Sequence, residues 1–179
     1  IMNRIVLDIE TQKSFDEVGG RENFHLLKVS VVGIYSYLKG EYMTFEESAI
    51  PQLEEMLKSA ALIIGFNIKR FDFVVLGPYL SIPINTLPAL DIMEEIVKVV
   101  GHRVSLESVA QATLGKGKIG NGLDALRFFK EGKMEELKRY CLHDVMITRE
   151  VYEYGQTHKE ISFTSNRTFG KHTIPVHWD

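Results

Sequence analysis

The first apolar segment of the chain, residues 4–10, is a short run of mainly aliphatic residues that carries two acids towards its end. A strand that is apolar on both faces is buried inside a sheet, with other elements packed on each side. Residues 28–38 and 41–45, separated by a turn at Gly40, are predicted to continue the sheet as a meander. Residues 62–66 form a further short buried strand. This pattern constrains the chain to a layered fold around a central sheet.

Helical spacing dominates the second half of the chain. The predicted helices cover residues 51–57, 67–79, 92–100, 106–114, 123–130 and 133–154. Asn67 is the predicted N-cap of the second helix, and Pro83 and Pro88 bracket an extended piece that reaches Asp91. The predicted order begins with strands, continues with strands that alternate with helices, and ends in a helical half. This order is typical of an α/β domain. The order fits a ribonuclease-H-like fold, with a mixed central sheet flanked by helices.

Length and composition indicate a single domain. A chain of 179 residues that is 45% hydrophobic and 25% charged can form one sizeable core. We assign residues 1–155 to the domain and residues 156–179 to a C-terminal tail that could form strands or an extended segment. No apolar run approaches the roughly 20 residues that span a bilayer, so we expect a soluble, cytoplasmic protein without a membrane partner. The single cysteine, Cys141, excludes an internal disulfide and a multi-cysteine zinc site.

Asp8 and Glu10 are the two acids of the first strand. Because side chains alternate along a strand with a period of two, both carboxylates lie on the same face. Two carboxylates on one face of a strand need a partner there. The alternative is that both are solvated residues at the exposed end of the strand.

Asp144 interrupts the apolar stripe of the last predicted helix. The stripe consists of Leu137, Cys141, Val145, Thr148 and Tyr152. A buried carboxylate must be protonated, paired or bound to metal, because burying its charge without compensation is costly. Tyr140 lies four residues earlier on the same face, so its hydroxyl can reach the same pocket. The alternative for Asp144 is an ion pair with Arg70 or Arg139.

Asp72 lies early on the helix that follows the strand at residues 62–66. Open sheets place ligands near the carboxyl ends of their strands, which is the position that Asp72 occupies. The alternative is an acid in the first turn that only favours the positive end of the helix dipole.

Together these acids lie in three motifs that resemble those of the DEDD superfamily of 3′→5′ exonucleases, in its tyrosine-type branch. The motifs are residues 7–11 (LDIET), 65–72 (GFNIKRFD) and 140–145 (YCLHDV). The third motif resembles that of the proofreading domains of B-family DNA polymerases, and the compact size is similar to predicted stand-alone exonucleases. The sister branch has a histidine where this chain has Arg139. The resemblance covers about residues 4–154.

The resemblance implies a two-metal-ion mechanism that releases nucleoside 5′-monophosphates from a single-stranded 3′ end of DNA or RNA. Asp8, Glu10, Asp72 and Asp144 would hold two Mg²⁺ or Mn²⁺ ions, and Tyr140 would orient the attacking water. Asp8 would bridge both ions, Glu10 and Asp144 would hold the ion that activates water, and Asp72 would support the other ion through water. A helicase or a polymerase is a possible partner. The alternative is a catalytically silent nucleic-acid-binding or docking module.

Other residues are candidates for contact with the substrate. The resemblance and the position of the loop after the first motif point to Thr11, Gln12, Asn67 and Phe71. The glycine-rich residues 115–122 lack the ending of a phosphate-binding loop and are predicted to be a flexible connector. Lys116 and Lys118 of this connector could contact a nucleic-acid backbone.

Net charge alone does not exclude nucleic acid. The chain carries a formal charge of −3, which weakly disfavours a broad phosphate-binding surface. Two divalent cations would add four positive charges, so the loaded protein would reach about +1 at the place where phosphates bind.

Overall fold

Five strands form the central sheet of the computed structural model, which describes residues 2–179. They are β1 (Arg4–Thr11), β2 (Val29–Ser36), β3 (Glu41–Glu46), β4 (Leu62–Gly65) and β5 (Ala89–Asp91). Their order is β3-β2-β1-β4-β5, with β1, β2 and β3 antiparallel and with β4 and β5 parallel to β1. The mixed sheet flanked by helices is the predicted α/β, ribonuclease-H-like architecture, and it places the carboxyl ends of β1, β4 and β5 at one edge.

Seven α-helices flank the sheet within the described residues. They are α1 (Phe24–Leu27), α2 (Ile50–Lys58), α3 (Phe73–Leu76), α4 (Ile92–Val100), α5 (Leu106–Leu114), α6 (Gly122–Lys130) and α7 (Met134–His158). Ser105 is the N-cap of α5, and its side chain accepts a hydrogen bond from the backbone N–H of Ser108. Gly115, in the left-handed conformation, is the C-cap. No helix within residues 2–179 combines the length and the apolar character needed to cross a membrane.

The two faces of β1 pack against different layers. Ile5, Leu7 and Ile9 belong to a core cluster that includes apolar side chains of α2 and α3. Val6 points the other way, into a cluster built with α4, α5 and α7. Asp8 therefore follows Val6 on the face that α7 covers, as the period of two requires.

Gly33 of β2 allows α7 to approach the sheet closely. A Cβ atom at this position would lie 2.9 Å from Cys141 Sγ and 3.1 Å from Val145 Cγ2. Gly33 is also the cross-strand partner of Asp8. Because Gly33 has no side chain, the middle of α7 can pack next to the acidic end of β1.

The segment after β4 differs from the predicted single helix over residues 67–79. It consists of a π-helical turn at Ile68–Asp72, the short α3 and a 3₁₀ turn at Gly77–Tyr79. Asn67 is left-handed, with φ 62° and ψ 25°, and its side chain makes no capping hydrogen bond, so the predicted N-cap is wrong. The Asp91 carboxylate instead accepts hydrogen bonds from the backbone N–H groups of Asn67 and Lys69, at 2.7 and 3.1 Å.

The end of the chain forms a hairpin of β6 (Glu160–Thr164) and β7 (Lys171–Pro175). Two hydroxyls of α5 hold β6. Ser108 Oγ donates to the carbonyl and accepts from the N–H of Thr164, and Thr113 Oγ1 does the same with Ser162, all at 2.8–2.9 Å. Beyond the hairpin, the buried Trp178 packs on Gly155 and donates a hydrogen bond to the Tyr152 carbonyl at 3.0 Å. The tail therefore packs against α5 and α7.

Candidate metal centre

The end of β1 presents Asp8 and Glu10 together. Ligand atoms of these two carboxylates and of Cys141 lie within 4.8 Å of one another. The pairing with β2 shifts register between Glu10 and Thr11, which is the irregularity that often re-aims side chains beside functional sites. Adjacent negative charges at this separation require protonation or a cation.

Asp72 reaches the same place through the π-helical turn. Its Oδ2 accepts a hydrogen bond from the backbone N–H of Ile9 at 3.0 Å, and the residue is 3% exposed. This bond ties the second acidic segment directly to β1, between Asp8 and Glu10. The sequence predicted the location of Asp72 beyond β4 but not the π-helical geometry that turns it inward.

Asp144 and Tyr140 approach from α7. Asp144 is 3% exposed, and its Oδ2 lies 3.0 Å from Lys118 Nζ. Its Oδ1 is buried and has no hydrogen-bond partner among residues 2–179. The ammonium of Lys118 also lies 5.7 Å from the centre of the Tyr140 ring. One oxygen of Asp144 is therefore left for a further ligand.

These five side chains line one cleft of about 420 Å³. Asp8, Glu10, Asp72, Tyr140 and Asp144 all border it. Three of the four residues predicted to contact substrate border it as well: Thr11, Asn67 and Phe71. Gln12 is not among the lining residues, and its amide donates to the Val29 carbonyl at 2.9 Å. The structure thus gathers three distant segments around a single cavity, while the roles of the residues stay predictions.

The electrostatics of the cleft disfavour a full set of ionised acids. Burial, followed by the charge of neighbouring carboxylates, raises the pKa of Asp8 and of Glu10 well above their usual values. Burial raises the pKa of Asp72 to about 8, although the Ile9 N–H partly opposes this shift. Burial also raises the pKa of Asp144, and the nearby Lys118 lowers it in part. A cation in the cleft would relieve the same repulsion.

Lys118 is the cleft residue whose position the sequence did not predict. It belongs to the connector at residues 115–122, and its side chain is 23% exposed. Burial disfavours its charge, but Asp144, Asp8 and Glu10 outweigh burial and raise its pKa. Arg70 and Arg139, the alternatives considered for pairing with Asp144, do not form this ion pair. The only sequence signal for Lys118 was a basic residue in a glycine-rich loop.

Asp91 is a second residue that the sequence did not single out. Its carboxylate accepts hydrogen bonds from the N–H groups of Asn67 and Lys69. It also caps α4 by accepting hydrogen bonds from the N–H groups of Met93 and Glu94. Asp91 is buried and joins the end of β5 to the segment that carries Asp72. It positions the wall of the cleft without lining the cavity.

The donor set fits magnesium or manganese. All four acids offer hard carboxylate oxygens, the ligands that these ions prefer. The unpartnered Asp144 Oδ1 and the close pair of Asp8 and Glu10 are groups that a cation would satisfy. Cys141 stays a protonated thiol, because burial and the surrounding carboxylates raise its pKa.

The sheet order and the acidic cluster at the end of the central strand define a ribonuclease-H-like protein. Residues 5–156 match a family model described as the RNase_H superfamily, and the chain belongs to this superfamily. Its members are usually nucleases that use divalent metal ions and bind nucleic acid. Among curated proteins, none matches the chain at a significant level.

Proposed function

We propose that this protein is a two-metal-ion 3′→5′ exonuclease of the DEDD, tyrosine-type branch, acting on single-stranded DNA or RNA. The observation that carries the proposal is the convergence of Asp8, Glu10, Asp72 and Asp144 on one cleft with Tyr140. Three separate segments supply these acids, and burial would make their juxtaposition costly without a cation. A cytoplasmic location, and a helicase or polymerase as partner, accompany the proposal as expectations from the sequence.

The four acids are the residues that would hold the metal ions. The chemistry that two bound cations supply is stabilisation of the attacking and the leaving oxygen in an in-line displacement at phosphorus. The Tyr140 hydroxyl makes no hydrogen bond within residues 2–179 and is free to orient a water molecule. Water attack at the last phosphodiester would release a nucleoside 5′-monophosphate.

Aromatic side chains form another wall of the cleft. Phe15 and Phe71 line it, with ring centres 6.0 Å apart in an edge-to-face contact. A half-buried ring such as Phe71 gives a terminal base an apolar surface that does not depend on sequence. The cavity of about 420 Å³ suits one terminal nucleotide better than a duplex end.

Labelled linear DNA and RNA strands, incubated with Mg²⁺ or Mn²⁺ and separately with a chelator, test this function. We expect metal-dependent release of mononucleotides from a free 3′ end, and slower release when that end carries a blocking group. Closed single-stranded circles are the control, since they have no terminus for the cleft to admit. Degradation of circles as fast as linear strands would show an endonuclease and overturn the polarity.

The second candidate is a silent module that binds nucleic acid without hydrolysing it. The Lys118–Asp144 ion pair favours it, because an internal ammonium group already offsets part of the negative charge. The presence of all four acids and the unpartnered Asp144 Oδ1 favour the enzyme. A protein that binds the labelled strands but leaves them intact in both metals would be the silent module.

A further inference from the structure

A second groove continues from the cleft along α5 towards the tip of the β6–β7 hairpin. It measures about 720 Å³, against about 420 Å³ for the cleft. Met93 lines both cavities, and the adjoining residues Leu106 and Glu107 line the cleft and the groove, respectively. The first turn of α5 is thus a shared wall, and a chain leaving the cleft can enter the groove directly.

The groove is basic although the chain as a whole carries a charge of −3. Arg103 lines it from the loop before α5 and Arg167 from the turn between β6 and β7, and both are exposed. Neither guanidinium forms a salt bridge or a hydrogen bond with any residue of the described range 2–179, whereas surface lysines such as Lys98 are paired with acids. The one lining acid, Glu107, already accepts a hydrogen bond from the backbone N–H of Lys118 at 2.6 Å. Two unpaired arginines favour an anionic occupant.

The hairpin tip is fixed relative to the cleft. The hydroxyls of Ser108 and Thr113 hold β6 against α5, as described above. The buried Ser165 hydroxyl accepts hydrogen bonds from the N–H groups of Arg167 and Thr168, both at 3.1 Å, and so closes the tip. Arg167 therefore projects from an anchored turn and not from a loose end.

An exposed aromatic residue at the same tip indicates which kind of anion the groove binds. Phe169 is 82% exposed, and its φ of 50° is a conformation that L side chains rarely adopt. Arginines that contact phosphates beside an aromatic ring that stacks on a base are the combination that binds single-stranded nucleic acid without sequence preference.

We propose that this groove binds the part of the substrate strand that precedes the 3′-terminal nucleotide, with Arg103 and Arg167 contacting phosphates and Phe169 contacting a base. The inference rests on the proposed exonuclease function and adds a strand-binding site outside the metal cleft. A short strand occupies the cleft alone, whereas a longer one also fills the groove. Affinity must therefore depend on strand length through these three residues.

The test compares Arg103→Ala/Arg167→Ala with wild type by fluorescence anisotropy on labelled oligothymidylates. For a strand of about 12 nucleotides, we expect the double variant to raise Kd about tenfold, and to reduce the slope of log affinity against log salt by about 1.4. For a strand of about three nucleotides, Kd should change less than about twofold, because it does not reach the groove. Phe169→Ala should weaken binding of the longer strand about fivefold or more.

Lys39→Ala is the matched control, because it removes one positive charge that forms no salt bridge within residues 2–179. Lys39 lies in the turn between β2 and β3 and does not line the groove. It should leave the affinities for the short and the long strand unchanged.

Hydrolysis of a nitrophenyl ester of thymidine 5′-monophosphate in Mn²⁺ reports the activity of the metal cleft alone, and the double variant should retain this activity. Unchanged affinity and salt slope for the longer strand would overturn the groove assignment and leave the proposed function intact. If the wild-type protein binds the longer strand through these arginines but hydrolyses neither the ester nor the strand, the exonuclease proposal is contradicted. The assignment of the groove as a strand-binding site is then still supported.

Discussion

Tyr140 and Asp144 lie one turn apart on α7 but differ in chemistry. Asp144 has a buried oxygen without a hydrogen-bond partner among residues 2–179, and Tyr140 borders the same cavity. In the proposed mechanism, Asp144 binds a cation and the Tyr140 hydroxyl orients a water molecule. Asp144→Asn should therefore abolish turnover, while Tyr140→Phe should reduce kcat by roughly 10²-fold or less, because it removes only orientation. Single-turnover rates in saturating Mn²⁺ measure both. Complete loss in Tyr140→Phe, with folding and metal binding intact, would contradict an orienting role.

Asp72 makes the stability of the metal-free protein depend on pH. Burial raises its pKa from 3.8 to about 8, so over that interval the folded state keeps a proton that the unfolded state releases. More protons bound in the folded state mean that the free energy of unfolding falls as pH rises. We expect the Tm in chelator to decrease from about pH 5 to about pH 8, and to decrease less in Asp72→Asn.

Thermal scans at several pH values in that window measure this dependence. The acids Asp8 and Glu10, whose pKa values are also raised, leave Asp72→Asn with part of the slope. Identical slopes in wild type and variant would mean that Asp72 is ionised in the folded protein at neutral pH without a cation.

At the scale of elements, the close packing of α7 on the sheet positions Tyr140 and Asp144 beside the acids of β1. Gly33→Ala would place a Cβ 2.9 Å from Cys141 Sγ, so α7 must shift away from β1 and carry Tyr140 and Asp144 with it. We expect a loss of about 1–3 kcal/mol in the free energy of unfolding. We also expect a loss of turnover that persists at temperatures where the variant is fully folded.

Gly77→Ala is the control, since a Cβ there would meet only Ile84 Cγ2 at 3.5 Å, an ordinary contact. It should change neither stability nor turnover appreciably. Denaturant unfolding and mononucleotide release measure the two properties for each variant. If Gly33→Ala kept full turnover, the close approach of α7 to β1 would not position the site.

Local sequence signals were sufficient for the elements that repeat a simple pattern. The apolar run of β1, the helical stripe of α7 and the strand before Asp72 predicted both the fold and the segments that converge. The π-helical turn was not predictable, because its geometry depends on Asp91, a residue 24 positions from Asn67 in the chain. Strands were one of the two alternatives for the tail, but the α5 hydroxyls that hold β6 could not be identified from the tail sequence.

Lys118 shows why an electrostatic partner is harder to predict than an element. Glycines surround it, and nothing in residues 115–122 indicates that its side chain folds back to α7. The pairing depends on three carboxylates that other segments supply, those of Asp144, Asp8 and Glu10. From the sequence, Arg70 and Arg139 were the two candidate partners for Asp144, whereas the folded chain pairs it with Lys118.

At the scale of the whole molecule, acidic and basic side chains are concentrated in different places, and this distribution is compatible with binding a nucleic-acid strand. Acids concentrate in the cleft, and unpaired arginines border the groove beside it, although the net charge is −3. Two divalent cations would neutralise the four carboxylates of the cleft and leave the positive charge of Lys118 beside them. The tip of the C-terminal hairpin lines the groove, and Trp178, which follows the hairpin, packs in the core cluster that includes α7. The tail therefore packs with the rest of the domain.

The central claim is that Asp8, Glu10, Asp72 and Asp144 form one divalent-metal site, and thermal scans of wild type and Asp8→Asn test it most directly. In chelator, Asp8→Asn should melt at or above wild type, because burial and the neighbouring carboxylates disfavour the ionised form of Asp8 and the amide carries no charge. In millimolar Mn²⁺, the wild-type Tm should rise, since a ligand at a hundredfold excess over Kd stabilises the fold by roughly 2.7 kcal/mol. The variant should gain clearly less. A wild-type midpoint that neither Mg²⁺ nor Mn²⁺ moves, or a full metal response in Asp8→Asn, would contradict the assignment.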